Sequence, residues 1–413
     1  MHEIPAPAAV LSPSHRGSSS RTASPRSNVQ YMPQLDGLRA LAVFAVWMAH
    51  WGIADLRYFD YVDWGRMGVM LFFVLSGFLI TGILLRASES VESSECGLWT
   101  AAKIFYIRRF LRIVPIYYLT LFAMALLLPQ VREQFVWYAT YTENIHVALH
   151  PVALAPVGGH FWSLAAEEQF YLVWPWVMLI VPRRLKLGVV LGLISFGALL
   201  QVFLETHHHR GIALGCIDQF GFGALLAIAT AYSMNRLRTW LMRLGKYVAL
   251  PVLIVGLIFV YDREAPVLTV IVLPLAATAC FTWLIGSAAV GFSGLPGRLL
   301  ESAPLVYLGR ISYGLYIFHG FLIALWAKAA LPEIGNPWLK TLVFGLITII
   351  VASISWYVIE APINSLKRYF QMPGGGRPKS GNTALNEPIP TEPAIADRLL
   401  WPKTSMTASC ARS

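Results

Sequence analysis

The chain has 413 residues, of which 56% are hydrophobic and only 13% are charged, and its mean hydropathy is +0.59. About 25% of the residues of a typical soluble domain are charged, so this composition excludes a soluble domain and indicates an integral membrane protein. The net charge of +10 comes largely from Lys and Arg in tails and in loops beside apolar segments, where topology and contact with membrane lipids explain it. We therefore expect membrane lipids, and no nucleic acid, as partners.

About ten stretches of the chain are apolar enough, at roughly 17 to 25 residues each, to cross a bilayer. They lie near residues 35–53, 67–86, 113–129, 166–181, 187–204, 216–233, 247–261, 266–286, 311–327 and 339–360. Lipid offers no partner to backbone polar groups, so such continuous segments must be helices rather than barrel strands. The predicted fold is an all-α, polytopic membrane bundle of about ten transmembrane helices.

The two ends of the chain have a different composition. Residues 1–30 are rich in Ser, Pro and Arg, and residues 371–413 open on a Gly/Pro-rich stretch, so both are predicted to be disordered tails. Residues 31–370 then form one transmembrane domain, whose first span inserts the chain because the N-terminal tail contains no apolar core of a signal peptide. Lys and Arg are about twice as frequent in one set of alternate loops, which places both termini in the cytoplasm.

The first span, PQLDGLRALAVFAVWMAH, carries Asp36 and Arg39 near its start and His50 at its end. Arg39 and His50 lie eleven residues apart, or about 16 Å along a helix. Ionisable groups inside a membrane are costly, so we treat both residues as functional candidates. The alternative is that Arg39 extends to the inner interface while His50 caps the outer end.

The second and third spans add polar candidates. GVMLFFVLSGFLIT contains Ser76 next to Gly77, a small pair that suits close helix packing, whereas a nucleophilic Ser76 would need an adjacent base. FYIRRFLRIVPIYYL places Arg109 and Arg112 on one helix face at the predicted inner boundary. Two forked guanidinium groups suit a phosphate-bearing ligand. The ordinary retention of basic residues in the cytoplasm explains the same pair.

The stretch GGHFWSLAAEEQFYLVWPW opens the fourth span on the predicted outer side, the side of His50. Acidic residues in a first helical turn favour the helix dipole, so capping explains one of Glu167 and Glu168. Two glutamates beside His160 indicate more, because a carboxylate near a histidine sets its tautomer and raises its basicity. The sequence therefore predicts a phosphate-bearing donor at the inner mouth of the bundle and chemistry toward the outer mouth.

Other polar residues give weaker signals. The run His207 to His209 is predicted to be a solvated loop rather than a metal site, and we expect no bound metal. The cysteines lack CxxC spacing and are expected to be free thiols; they are Cys96, Cys216, Cys280 and Cys410. His319, in IFHGF, is either a second active-site group or a packing residue.

Taken together, these motifs resemble the acyltransferase family 3 membrane O-acyltransferases. These include O-acetylases of bacterial O-antigens, exopolysaccharides and Nod factors, and acyltransferases of macrolide antibiotics. The resemblance covers residues 31–370 and consists of an ordered set of motifs: LDGLRALAVFAVWMAH, GVMLFFVLSGFLIT, RRFLRIVPIYY, FWSLAAEEQFYLVWP, YLGRISYGLYIFHG and WYVIEAP.

The resemblance implies transfer of an acyl group, usually acetyl from acetyl-CoA, to a hydroxyl of a carbohydrate or glycolipid acceptor at the bacterial inner membrane. The family's essential first-helix residues fall on His50 and Arg39, its RxxR pair on Arg109 and Arg112, and its membrane glutamate on Glu167. On this basis we expect His50 to act as general base with Glu167 as its orienting partner, and the arginines to bind the donor.

Several supporting residues and one further component stay open. Asp36, Ser163 and His319 are possible supporting residues, and candidate oxyanion donors are Ser76, Tyr313 and backbone amides. Direct transfer and an acetyl-histidine relay are both possible mechanisms. No SGNH-type segment follows the last span, so the membrane domain is expected to complete the reaction alone or with a separate partner.

Two other classes of function fit parts of the pattern. A transporter or flippase of a lipid-linked or glycosylated substrate would also place Arg, His and Glu along a pathway, but no convincing inverted repeat is visible. A membrane scaffold would use the same charges structurally. The two alternatives are distinguished from an enzyme by whether acetyl-CoA is consumed and whether substitutions abolish a reaction.

Overall fold

The computed structural model of the protein describes residues 31–51, 63–149, 158–206, 216–259 and 271–371. Helices form nearly all of these residues, and no strand occurs among them. The α-helices, in chain order, are α1 (Pro33–His50), α2 (Trp64–Glu92), α3 (Leu98–Leu127), α4 (Pro129–Glu133), α5 (Phe135–Ala139), α6 (Glu143–Leu149), α7 (Phe161–Ile180), α8 (Arg183–Thr206), α9 (Ile217–Ala231), α10 (Asn235–Arg243), α11 (Leu250–Phe259), α12 (Leu273–Val290), α13 (Gly294–Leu300), α14 (Ala303–Arg310), α15 (Ser312–Lys328), α16 (Pro337–Ser355) and α17 (Ala361–Ser365). Turns of π-helix join α10 to α11 (Leu244–Ala249) and α16 to α17 (Trp356–Glu360), and a 3₁₀ turn (Leu366–Tyr369) follows α17.

The all-helical membrane fold agrees with the prediction, whereas the predicted number of ten spans is not confirmed. Within the described ranges, six helices are long and apolar enough to cross a membrane, or seven if α14 and α15, which meet at a 72° bend, form one span. Each of the ten predicted segments overlaps a helix, but α1, α7 and α9 do not meet the criterion. α9 is short, and α1 and α7 carry the polar residues of the candidate site, which lower their hydropathy.

Helix α2 lies at the centre of the bundle, where about 78% of its apolar core is buried. Its close neighbour is α9, and glycines allow the approach: a Cβ atom added to Gly77 would lie 2.1 Å from the carbonyl oxygen of Phe220, and one added to Gly223 would lie 2.1 Å from that of Val74. Gly77 therefore allows two backbones to pack closely, as its position next to Ser76 predicts.

Helices α13 and α14 pack against the first half of α1. A Cβ atom on Gly309 would lie 1.9 Å from the carbonyl oxygen of Asp36, and one on Gly37 would lie 2.3 Å from that of Leu300. The side chain of Gln34 adds polar contacts, donating to the carbonyl of Phe292 at 3.1 Å and accepting from its backbone N–H at 2.7 Å. These contacts fix the start of α1, and with it Asp36 and Arg39, in the bundle.

Three short helices, α4 to α6, form a layer that packs on α7 and the end of α3. Tyr117 of α3 stacks on Tyr141 with ring centroids 4.3 Å apart and donates to the carbonyl of Tyr138 at 2.8 Å. Glu143 of α6 is 1% exposed, and neither of its carboxylate oxygens has a hydrogen-bond partner in the described part of the chain. Burial raises the pKa of Glu143 from its ordinary value of 4.5 to about 7.

Some predictions concern other parts of the chain. The two tails, the His207–His209 run and Cys410 lie outside the described residues. Cys96, Cys216 and Cys280 are free thiols, as predicted, and all three are buried.

Candidate active site

Helix α1 carries Arg39 and His50 on one face, because eleven residues make slightly more than three whole turns. Nη1 of Arg39 donates to Oδ1 of Asp36 at 2.7 Å, and Oδ2 of Asp36 accepts from the hydroxyl of Tyr31 at 2.7 Å. Asp36 therefore holds one edge of the Arg39 guanidinium. His50 is the last residue of the helix and is exposed.

Three histidines from different parts of the sequence meet beside the end of α1. The ring of His50 lies 5.0 Å from that of His319 in an edge-on arrangement, and the ring of His319 lies 4.8 Å from that of His160. His319 comes from α15 and is fully buried, and His160, which directly precedes α7, is 5% exposed. We call this end of the bundle, defined by the three residues, the histidine end.

Backbone carbonyls determine the tautomer of each ring. Nδ1 of His50 lies 2.8 Å from the carbonyl oxygen of Val46, and Nδ1 of His319 lies 2.6 Å from that of Tyr316. A carbonyl can only accept a hydrogen bond, so the proton of each neutral ring is on Nδ1 and the lone pair is on Nε2. The Nε2 atom of His319 is buried and has no hydrogen-bond partner in the described ranges.

His160 is oriented in the opposite sense and stays neutral. Its Nε2 atom donates to the carbonyl of Ile317 at 3.2 Å. Burial, which disfavours the charged ring, and the nearby His50 together lower the pKa of His160 to about 3. The His160 ring therefore connects the start of α7 to the backbone of α15.

Ser163 connects α7 to α15 through hydrogen bonds. Its Oγ donates to the carbonyl of His160 at 3.0 Å and lies 2.5 Å from the hydroxyl oxygen of Tyr316. The Tyr316 hydroxyl also lies 3.1 Å from the same carbonyl. These bonds hold the first turn of α7 against the helix that carries His319.

Glu167 does not pair with His50, which corrects the arrangement expected from the sequence. It lies seven residues beyond His160 on α7, or about 10 Å deeper in the bundle. There its Oε1 atom accepts hydrogen bonds from the hydroxyl groups of Ser76 and Tyr171. Among the described residues, the His50 ring contacts the Val46 carbonyl and the ring of His319.

The arginines of α3 lie beyond Tyr171. The guanidinium carbon of Arg109 is 5.6 Å from the centre of the Tyr171 ring and 5.7 Å from that of Phe105. Arg112 follows on the same face of α3. Next to it in the chain, the carbonyl of Ile113 accepts a hydrogen bond from the hydroxyl of Tyr313 at 3.2 Å. We call the part of the bundle that holds Arg39, Arg109 and Arg112 the arginine end.

The polar groups form a column through an apolar bundle. On α7, four polar side chains recur at intervals of three or four residues and so share one face: His160, Ser163, Glu167 and Tyr171. The column runs from three imidazoles, through a carboxylate that accepts two hydroxyl groups, to guanidinium groups. No group of three His, Cys, Asp or Glu residues in the described ranges is arranged to hold a metal ion.

Such a column can bind an anionic group at one end and accept a proton at the other. Sequence reasoning found both ends but missed how they are connected. Tyr171 and Tyr316 are not among the residues predicted from the sequence, and the sequence allows His319 to be either an active-site group or a packing residue. The spacing of polar residues on α7 was the available signal for Tyr171, whereas nothing in the sequence indicates that Tyr316 meets Ser163.

Comparison with known proteins places the chain among acyltransferases. The model of the acyltransferase domain that defines the acyltransferase 3 family matches residues 32–357. The chain is 30% identical to the Bacillus subtilis protein named "Putative peptidoglycan O-acetyltransferase YrhL", over 81% of this chain and 55% of that protein. It is 29% identical to the peptidoglycan O-acetyltransferase OatA of Listeria monocytogenes, over 88% of this chain and 60% of that protein.

The chain thus spans somewhat more than half the length of these relatives. No solved structure matches it. The family match covers the helices that carry every residue of the polar column, from α1 to α15. The chain belongs to the acyltransferase 3 family.

Proposed function

We propose that this protein is a membrane O-acetyltransferase that moves an acetyl group from acetyl-CoA to a hydroxyl of a carbohydrate acceptor. The observation that carries this proposal is the polar column, which joins a basic, anion-binding end to an end with an available imidazole lone pair. The two relatives are named for peptidoglycan, which supports a cell-wall glycan, free or lipid-linked, as the acceptor class.

The donor is proposed to enter at the arginine end. Arg109 and Arg112 are half-buried on one face of α3, where two guanidinium groups can bind phosphate oxygens of CoA. Arg39 belongs to the same set, although Asp36 already occupies one of its nitrogen atoms. The basic loops support a cytoplasmic location for this end and for both termini, with the chain in the bacterial inner membrane.

The reaction is proposed to take place at His50. Nε2 of His50 removes the proton from the acceptor hydroxyl while the hydroxyl oxygen attacks the thioester carbonyl carbon. The tetrahedral intermediate collapses by breaking the C–S bond, and the imidazolium returns the proton to the leaving thiolate. The products are an acetyl ester and CoA. General base catalysis of this kind contributes about 10²- to 10⁴-fold to the rate.

The orienting role that the sequence suggested for Glu167 is reassigned in this proposal. The Val46 carbonyl orients the His50 ring, and the fully buried His319 packs against that ring in an edge-on arrangement. Glu167 instead stabilises the middle of the column by accepting from Ser76 and Tyr171, one helix away from Arg109. The hydroxyl groups of Ser76 and Tyr313 are both occupied as donors, so backbone amides are the better candidates for an oxyanion site.

The test is mass spectrometry of cell-wall glycans from cells with the gene, without it, and with the His50→Ala variant. We expect one acetyl ester that requires the wild-type chain and is missing from the other two strains. Glycans that carry identical esters in all three strains would refute the proposal. Movement of a glycolipid by purified protein without consumption of acetyl-CoA would establish transport instead.

A further inference from the structure

Helix α2 has one face that differs from the rest of its surface. Between Gly68 and Ser88, every residue is buried except a stripe at intervals of four, three, four and three residues. The half-buried residues of the stripe are Phe72, Ser76, Leu79, Ile83 and Arg86. These intervals place all five on one side of the helix, over about 21 Å of its length.

This stripe faces other helices rather than lipid. The ring of Phe72 lies 6.1 Å from that of Tyr316 on α15, and Ser76 donates to Glu167 on α7. Ile83 packs against the cluster that contains Phe105 of α3. Because the stripe stays partly accessible although α3, α7 and α15 border it, we expect it to line an internal cleft. The stripe therefore connects the middle of the polar column to Arg86.

One nitrogen of Arg86 has no partner among the described residues, and the carboxylate that acts on its charge is that of Glu89, three residues later on α2. The Nη2 atom of Arg86 is buried and forms no hydrogen bond, and no carboxylate of the described residues lies within ion-pair distance of the side chain. An unsatisfied buried donor is costly, and more so when it is charged. By contrast, Arg108 donates to the carbonyls of Lys367 and Phe370 at 3.2 and 2.9 Å.

We propose that Arg86 binds a phosphate group of the acyl-CoA donor at the end of the cleft that lies farther from the histidine end. Arg86 lies ten residues, or about 15 Å, beyond Ser76 along α2, whereas Arg109 lies beside Tyr171, which contacts Ser76 directly. The two guanidinium groups are thus at different depths in one passage, as the separate phosphates of an extended CoA molecule require. This inference rests on the proposed use of acyl-CoA.

The test is equilibrium binding of acetyl-CoA and of S-acetylpantetheine, which lacks the phosphates, to the purified full chain in a maltoside detergent. Arg86→Gln removes the charge, and Arg184→Gln is the matched control, because Arg184 is an exposed arginine outside the cleft. We expect Arg86→Gln to weaken acetyl-CoA binding about 10- to 100-fold, as one charged hydrogen bond is worth. Arg86→Lys should recover part of the affinity.

The same variant should leave the affinity for S-acetylpantetheine unchanged, and Arg184→Gln should bind both molecules as the wild type does. Equal affinity of Arg86→Gln and wild type for acetyl-CoA overturns the role of Arg86 alone. A wild-type chain that does not bind acetyl-CoA overturns the donor in the proposed function.

Lipid phosphate has the same chemistry as the phosphate of CoA, so the experiment includes a lipid arm. If Arg86 holds a headgroup, phosphatidylglycerol will raise the melting temperature of the wild type more than that of Arg86→Gln, while both bind acetyl-CoA equally. That pair of results contradicts the inference.

Discussion

Replacing His50 separates catalysis from folding, because this residue is exposed and contributes one hydrogen bond, to the Val46 carbonyl. His50→Ala removes the Nε2 lone pair that the proposed mechanism uses as a base. The expected loss in kcat is about 10²- to 10⁴-fold, which corresponds to about 3–5 kcal/mol in activation free energy. The expected change in the free energy of unfolding is only about 0.5 kcal/mol, as for other exposed residues.

The assay is release of free CoA thiol by the purified chain with a soluble glycan acceptor, together with thermal unfolding of the same samples. His50→Asn is the matched control, since its amide can donate to the Val46 carbonyl but supplies no base. It should fold like the wild type and be as inactive as His50→Ala. If either variant keeps more than about one tenth of the wild-type rate, His50 is not the general base.

Three further predictions concern stability and use unfolding measurements. Ser76→Ala and Tyr171→Phe should each lower the free energy of unfolding by about 1 kcal/mol. The double variant should lower it by about 0.5–3 kcal/mol more than the sum of the two, because either hydroxyl alone still satisfies Glu167. Simple additivity would contradict the shared acceptor. Glu143 keeps its proton up to about pH 7 in the folded state, whereas in the unfolded state it loses the proton near its ordinary pKa of 4.5. Its contribution to stability therefore falls as the pH rises from about 4.5 to about 7. Glu143→Gln should therefore raise the melting temperature more at pH 8 than at pH 4.5, and an equal change at both would be evidence against the buried carboxyl. Gly309→Ala should destabilise the protein by about 1–3 kcal/mol, because its Cβ meets the α1 backbone, and an unchanged melting temperature would show that this contact relaxes freely.

The sequence determined properties that depend on local chemistry. Backbone groups in lipid must be satisfied within their own segment, so long apolar stretches are enough to predict helices. Helical geometry is equally local, which is why the separation of Arg39 from His50 by about 16 Å along α1, and the shared face of Arg109 and Arg112 on α3, followed directly. The predicted number of ten spans is not confirmed, because helices such as α1 and α7 carry polar groups and do not reach the hydropathy of a membrane span.

Only the tertiary structure decided which polar groups meet. Glu167 accepts from Ser76, 91 residues earlier, and His160 lies against His319, far later in the chain. Such pairs depend on how helices rotate and pack against one another, which no periodicity within a single segment encodes. Glycine contacts such as that of Gly77 with Phe220 set this packing, and a buried polar group then takes whichever partner the packing brings within reach.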